Sequence, residues 1–420
     1  MEITFRLAQA AVRKRPLLAA GLFAAALVAA GCTSGHPAAV RTAATTVHQE
    51  PASKATPPVT STVEHWGSFF GGSNGFYDLH TSPVAVRLPG TVAEVGTSNS
   101  TEYALLTNGS MYAWGMGTQG QLGNGTTENS FETPVLVHFP RGVKIASLAT
   151  DAMPYDTGLA IDTHGNAWGW GDNSGGELCT GNSSMYTTPV KVPLSGVTSL
   201  AGADAHALYD SGGTVYTCGD NVNGDLGDGS TARSRVPAKA LGLGSHVVKV
   251  VASFDNSGAL LSDGQYFDWG YNRYGQLGDG QFGGFSDVPV AARLPSPVVQ
   301  LAQGGSIWAN GQTFALLANG TLWSWGANFA YQLDEGNSDA QALPVHIYPP
   351  PGVVYQGLAT GSGTGYGITA DGKVYAWGAN YAGQVGNGNT DDTETPIVVA
   401  NGATQVSSTA NNVLIDTPGL

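Results

Sequence analysis

ALLTNGSMYAWGMGTQGQLGNG, running from Ala104 to Gly125, sets two short apolar runs on either side of Asn108-Gly109 and ends in a glycine-rich loop. Asn-Gly tolerates the positive φ that a two-residue hairpin turn requires. The stretch therefore predicts a strand over 103–106, a turn, and a returning strand over 111–114. Further along, Val135–Phe139 and Val143–Leu148 complete a set of four short strands.

The same pattern recurs along the chain. Trp-Gly or a close variant ends at Gly67, Gly115, Gly171, Gly219, Gly270, Gly326 and Gly378, at intervals of 48, 56, 48, 51, 56 and 52 residues. A hairpin glycine precedes six of them at Gly109, Gly165, Gly213, Gly264, Gly320 and Gly372. A GQLG-like tetrapeptide follows each, ending at Gly75, Gly123, Cys179, Gly227, Gly278, Asp334 and Gly386. Each copy then has a proline, at Pro83, Pro134, Pro189, Pro237, Pro289, Pro344 and Pro396. Seven copies of about fifty residues without a 3.6 period predict an all-β, seven-bladed propeller with four-stranded blades. The first copy lacks its hairpin glycine, while LIDTPG from Leu414 parallels AIDTHG from Ala160. The ring is expected to close by pairing the amino- and carboxy-terminal strands, leaving no sheet edge open.

Read together with SGGTVYTCGDNVNGDLGDG from Ser211 and ADGKVYAWGANYAGQVGNG from Ala370, the opening stretch resembles the chromosome condensation regulator repeat family over about 360 of 420 residues. The resemblance implies a propeller that works by binding protein. Two features separate this chain from familiar members. The histidine that family repeats commonly place before the Ala-Leu strand occurs only at His206, and the Gly-Trp-Arg-His-Thr signature of the plant UV-B photoreceptor is missing. An exported relative that inhibits β-lactamases illustrates another use of the scaffold.

Sixty glycines and 11% charged residues suit one turn-rich β domain. Removing the first 31 residues leaves 13 basic and 30 acidic side chains, a formal −17, which repels phosphate backbones. Nucleic acid is accordingly not an expected partner. Arg13, Lys14 and Arg15 followed by the apolar run 16–30 read as an export signal, and Val28-Ala29-Ala30-Gly31-Cys32 resembles a lipobox. The expected organisation is a lipoprotein signal peptide over 1–31, a lipidated Cys32 with an Ala/Thr/Pro spacer over 32–62, and the propeller over 63–420. The spacer would reach about 30 Å from a membrane. The expected location is outside the cytoplasm on a lipid anchor, with plain secretion as the alternative.

Motifs that look chemical lack their contexts. Gly115 to Gly120 fits a dinucleotide fingerprint but opens no helix, and Gly71 to Gly75 fits a nucleophile elbow without a strand-to-helix turn. Asp220, Asp225 and Asp228 crowd one loop without the ligand spacing of a calcium loop. The nine histidines contain no His-x-x-x-His pair, so neither a metal nor a cofactor is expected.

The expected function is a tethered, monomeric propeller binding an extracytoplasmic protein, as an inhibitor or receptor-like scaffold; the alternatives are a polysaccharide hydrolase or lyase and a purely structural protein. The candidate binding face is set by loops of variable length that carry Tyr155, Phe254, Ile307 and Trp308, read either as partner contacts or as a plug of the central opening. Cys179 and Cys218 stand in a GQLG glycine slot and a blade tryptophan slot of successive repeats. A disulfide between neighbouring blades and two buried thiols both satisfy that placement.

Overall fold

The computed structural model describes residues 61–70, 76–149, 155–244, 246–305, 311–334 and 336–418. Cys32 and the export segment lie outside the described residues, as do Ile307 and Trp308. Twenty-eight strands form seven four-stranded sheets, and the described secondary structure contains no helix.

In sequence order, the chain opens with β1 (Ser61–Phe70) and β2 (Phe76–Leu88), then makes a complete blade from β3 (Val92–Thr97), β4 (Thr101–Leu106), β5 (Met111–Gly115) and β6 (Ser130–Leu136). Five more blades repeat that order. The first strand of each blade lies innermost, against the first strands of its neighbours. Two faces result. One carries the turns between first and second strands together with the glycine-rich loops after each Trp-Gly; this is the turn face. The other carries the Asn-Gly type hairpins.

The architecture agrees with the sequence expectation, with two differences of register. Residues 145–148 form the first strand of the next blade and not the last strand of their own, because the proline-containing strand already closes the sheet. The closing hairpin is also shifted by one: Leu414 pairs with His65 as Leu159 pairs with Gly169, so Leu414 is equivalent to Leu159 and not to Ala160. Closure itself is as expected. Gln405–Thr409 and Asn412–Asp416 join β1 and β2 in one sheet, with Val63 opposite Asp416 and Gly67 opposite Asn412.

Cores lie between blades, since a single twisted sheet cannot cover both its faces. The cluster around Trp325, for example, joins Val251, Leu260 and Tyr266 of one blade to Val298, Leu301 and Leu317 of the next. Five tryptophans donate their indole N–H to one carbonyl of the preceding blade: Trp66 to Gln384, Trp170 to Gln121, Trp269 to Asp225, Trp325 to Gln276 and Trp377 to Gln332, at 2.8–2.9 Å. This explains the joint spacing of Trp-Gly and GQLG. The last glycine of the tetrapeptide lies under that indole: a Cβ on Gly278, at φ +65°, would come 2.9 Å from Trp325 Nε1.

Candidate functional site

The glutamine of the tetrapeptide builds the turn face. Gln121 Oε1 accepts from the Gln119 N–H at 2.8 Å, and its Nε2 donates to Ser100 Oγ at 3.2 Å and Asp156 Oδ1 at 3.1 Å. One amide thus holds its own loop and reaches the inner turn of the neighbouring blade. Gln276, Gln332 and Gln384 accept from Tyr274, Ala330 and Ala382 in the same way.

Among the described residues, two blades break this rule. Glu177 and Asp225 occupy the glutamine slot, both buried, and among the described residues Glu177 Oε1 and Oε2 and Asp225 Oδ1 have no hydrogen-bond partner. A carboxylate cannot donate as the amide does, and burial penalises its charge. Burial pushes Glu177 up to about 8, with Asp172 and Asp220 adding to the effect. Asp225 is likewise pushed up to about 8 by burial and by Asp255. The inner turns continue the acidic collar: burial and neighbouring aspartates raise Asp204 to about 6 and Asp255 to about 7.

Tyr155 and Phe254 occupy equivalent inner turns, and the structure brings them together at the centre of the ring. With Ala203, Gln303, Thr360 and Ala410 they line a cavity of about 10 Å³, room for about one water at most. Both side chains are half-buried there. The Tyr155 N–H donates to the Asp204 carbonyl at 3.1 Å, and Phe254 adopts φ 29°, a strained setting for an aromatic residue. His206 opens a second strand just beyond these turns and meets Ser257 Oγ of the next blade at 3.0 Å; burial lowers its pKa to about 4.

Beyond the mouth lies a surface that sequence reading missed. The third residue after each Trp-Gly glycine is Phe70, Thr118, Ser174, Val222, Arg273, Phe329 and Tyr381 in successive copies. Val222, Phe329 and Tyr381 are 70%, 51% and 40% exposed. Phe329 packs edge-on against Tyr274 with ring centroids 4.8 Å apart, and Arg273 stands over the Tyr274 ring at 5.7 Å. Tyr381 donates to Asn411 Oδ1 at 2.8 Å, which turns its ring toward the mouth. The signal was present in sequence: one repeat position is aromatic in the last two copies and in the first, at Phe329, Tyr381 and Phe70.

Asp220, Asp225 and Asp228 act separately: Asp220 pairs with Arg233, Asp225 accepts from the Asn223 N–H, and Asp228 caps Ser230. At the hairpin face a cavity of about 520 Å³ opens into the channel, lined by Lys249, Gln300, Gln356, Gln405 and aliphatic groups. Side chains at one inner-strand position tie neighbouring blades there. The Leu148 N–H donates to Glu94 at 2.8 Å, Val250 to Ser199 at 3.1 Å and Val95 to Gln405 at 3.2 Å.

Cys179 and Cys218 are joined by a disulfide with Cα atoms 5.5 Å apart. Cys218 replaces the blade tryptophan and Cys179 the glycine under it, at φ 57°, so a covalent bond replaces the indole–glycine contact made elsewhere. Tyr209 donates to the Glu177 carbonyl at 3.0 Å, the bond that the missing indole would make.

Comparison with known proteins agrees with this geometry. The model of the regulator of chromosome condensation (RCC1) repeat matches residues 108–150, 212–260, 263–309 and 371–414, and a second RCC1 repeat model matches 356–384. The chain is 32% identical over 320 residues to the ultraviolet-B receptor UVR8 of Arabidopsis thaliana, covering 74% of this chain and 70% of the receptor. It is 31% identical over 310 residues to the human E3 ubiquitin-protein ligase HERC2, covering 71% of this chain but 6% of the ligase. Among solved structures it superposes on Prp20p of Saccharomyces cerevisiae with a TM-score of 0.70 at 21% identity, over 87% of this chain and 93% of that one.

Proposed function

The chain belongs to the regulator of chromosome condensation (RCC1) repeat family, and from that premise we propose that it is a protein-interaction module whose turn face engages an extracytoplasmic protein. The observation that carries this reading is the aromatic crescent of Tyr274, Phe329 and Tyr381 beside the central mouth, set among aspartates. Exposed aromatics on a rigid scaffold are typical interface anchors, and they are costly to leave in water without a partner. The formal −17 carried by the chain after residue 31 favours a basic partner surface. Prp20p, of the same fold, has been described with its binding to Gsp1p and histones; for this chain the partner class is the same, a protein, while its identity follows from its own face.

The proposed placement is a lipid-tethered domain outside the cytoplasm, organised as signal peptide 1–31, Cys32 with spacer to 62, and propeller from 63. It rests on the amino-terminal sequence and gains support from the disulfide, since such bonds persist in oxidising compartments. Cys32→Ala should release the protein from membranes; a parent protein already wholly soluble would overturn the tether.

The test of function uses the full chain to capture its partner from the extracytoplasmic fraction, followed by affinity measurements. Phe329→Ser and Tyr381→Ser are each expected to weaken binding by about 1–3 kcal/mol with unfolding midpoints unchanged. Undiminished affinity in both variants would remove the turn face as the interface.

A further inference from the structure

We propose that His65, Asp78 and His80 form a binding site for a divalent transition-metal ion, zinc above all, with Glu102 positioning one ligand. One ligand atom from each of the three lies within 4.8 Å of the others. Asp78 and His80 flank the 52%-exposed Leu79 at an irregularity of β2 where Asp78 adopts φ 52°, and this local geometry brings their side chains together. His65 reaches them from the adjacent β1. There Gly67 stands directly opposite His80, and the His65 and His80 imidazole rings approach to 5.1 Å between centroids.

The donor set is chemically apt. Two imidazoles and one carboxylate suit zinc and leave a fourth position for water. Tetrahedral bonds of about 2.0–2.1 Å require ligand atoms roughly 3.3 Å apart. Asp78 Oδ1 and a His80 ring nitrogen, Nε2, already stand 3.1 Å apart. The remaining closure is a side-chain adjustment from at most 4.8 Å.

Two further observations point to a cation as the ligand of this cluster. Asp78 Oδ2 is buried and has no hydrogen-bond partner among the described residues. Glu102, on β4 of the next blade, is fully buried, with Oε2 3.1 Å from His65 Nδ1 and Oε1 without a hydrogen-bond partner. A carboxylate on one imidazole nitrogen fixes the ring so that the other nitrogen can ligate, the usual outer shell of a metal-bound histidine. It also places negative charge where a buried carboxylate is otherwise hard to sustain. Asp78 and His80 side chains are 16% and 27% exposed, so an ion has a route in from solvent. The site would tie both strands of the opening segment to the next blade at the seam where the ring closes.

The test uses the full chain stripped with chelator and desalted, then titrated with zinc chloride by calorimetry and, in parallel, with cobalt chloride by visible absorption. One zinc per chain, a raised unfolding midpoint and the d–d bands of four-coordinate cobalt are expected. His80→Gln and Asp78→Asn should each weaken zinc binding at least tenfold. Glu102→Gln should weaken it by roughly tenfold or more while keeping one ion per chain and an altered cobalt spectrum. His80 is partly exposed, so its variant is expected to fold, which circular dichroism checks. No zinc retained by the parent, or equal affinity in His80→Gln and Asp78→Asn, would overturn the site.

Discussion

At the scale of single residues, the glutamine slot of the repeat tetrapeptide separates what a side chain can accept from what it can donate. Gln121 does both, whereas Glu177 does so only when protonated. Its carboxyl is held at about 8 against an ordinary 4.5, so the folded state binds the proton more tightly than the unfolded chain. That contribution to stability is complete below about pH 4.5 and is lost as pH rises through 8. Glu177→Gln supplies the donor at every pH. It should therefore stabilise the protein on the order of 2–4 kcal/mol at pH 9 in denaturant unfolding and leave it unchanged at pH 4. A gain independent of pH would show that hydrogen bonding, and not the titration, limits stability there. The sequence displayed the substitution plainly, since Glu177 and Asp225 stand in a column of glutamines. Its cost was not legible, because only the fold buries the column against the next blade.

At the scale of elements, Trp-Gly and GQLG were legible as spacing long before their contact was. Their constant separation records an indole of one blade lying on the tetrapeptide of the blade before it, a relation across blades that linear spacing does not name. The pair Cys179 and Cys218 shows the gain from reading slots as well as residues: each replaces one partner of that contact, and the structure bonds them. The disulfide closes a span of 39 residues, and for a loop of that size the constraint on the unfolded chain amounts to about 3–4 kcal/mol. Reduction should lower the unfolding midpoint, and Cys179→Ser with Cys218→Ser should reproduce the reduced value and show no response to reductant. An unfolding curve indifferent to reductant would mean that packing by Tyr209 alone holds that seam. Strand boundaries were less legible. The assignment of 145–148 to the wrong blade arose because repeats fix order along the chain but not where one sheet ends and the next begins.

At the scale of the whole molecule, seven blades and terminal closure were readable because glycine, tryptophan and proline recur in register. The site was readable only in part. Tyr155 and Phe254 stood out as irregular aromatics, and the structure sets both beside one small cavity at the centre of the turn face. Phe329 and Tyr381 escaped notice because they sit inside a regular motif, while His65 and Glu102 meet only through ring closure and blade packing. Closure also makes a prediction of its own. Truncation after Gly402 removes both strands that complete the first sheet and bares β1, so cooperative unfolding should be replaced by aggregation or a broad transition, seen by calorimetry. The central claim is that one face of this closed ring binds protein. Hydrogen exchange of the full chain with and without its captured partner tests it most directly. The account predicts new protection at the inner turns around 155–157, 204–206 and 254–256 and at the loops containing Phe329 and Tyr381; protection confined to the opposite hairpins around Gly109, Gly165 and Gly264 would contradict it.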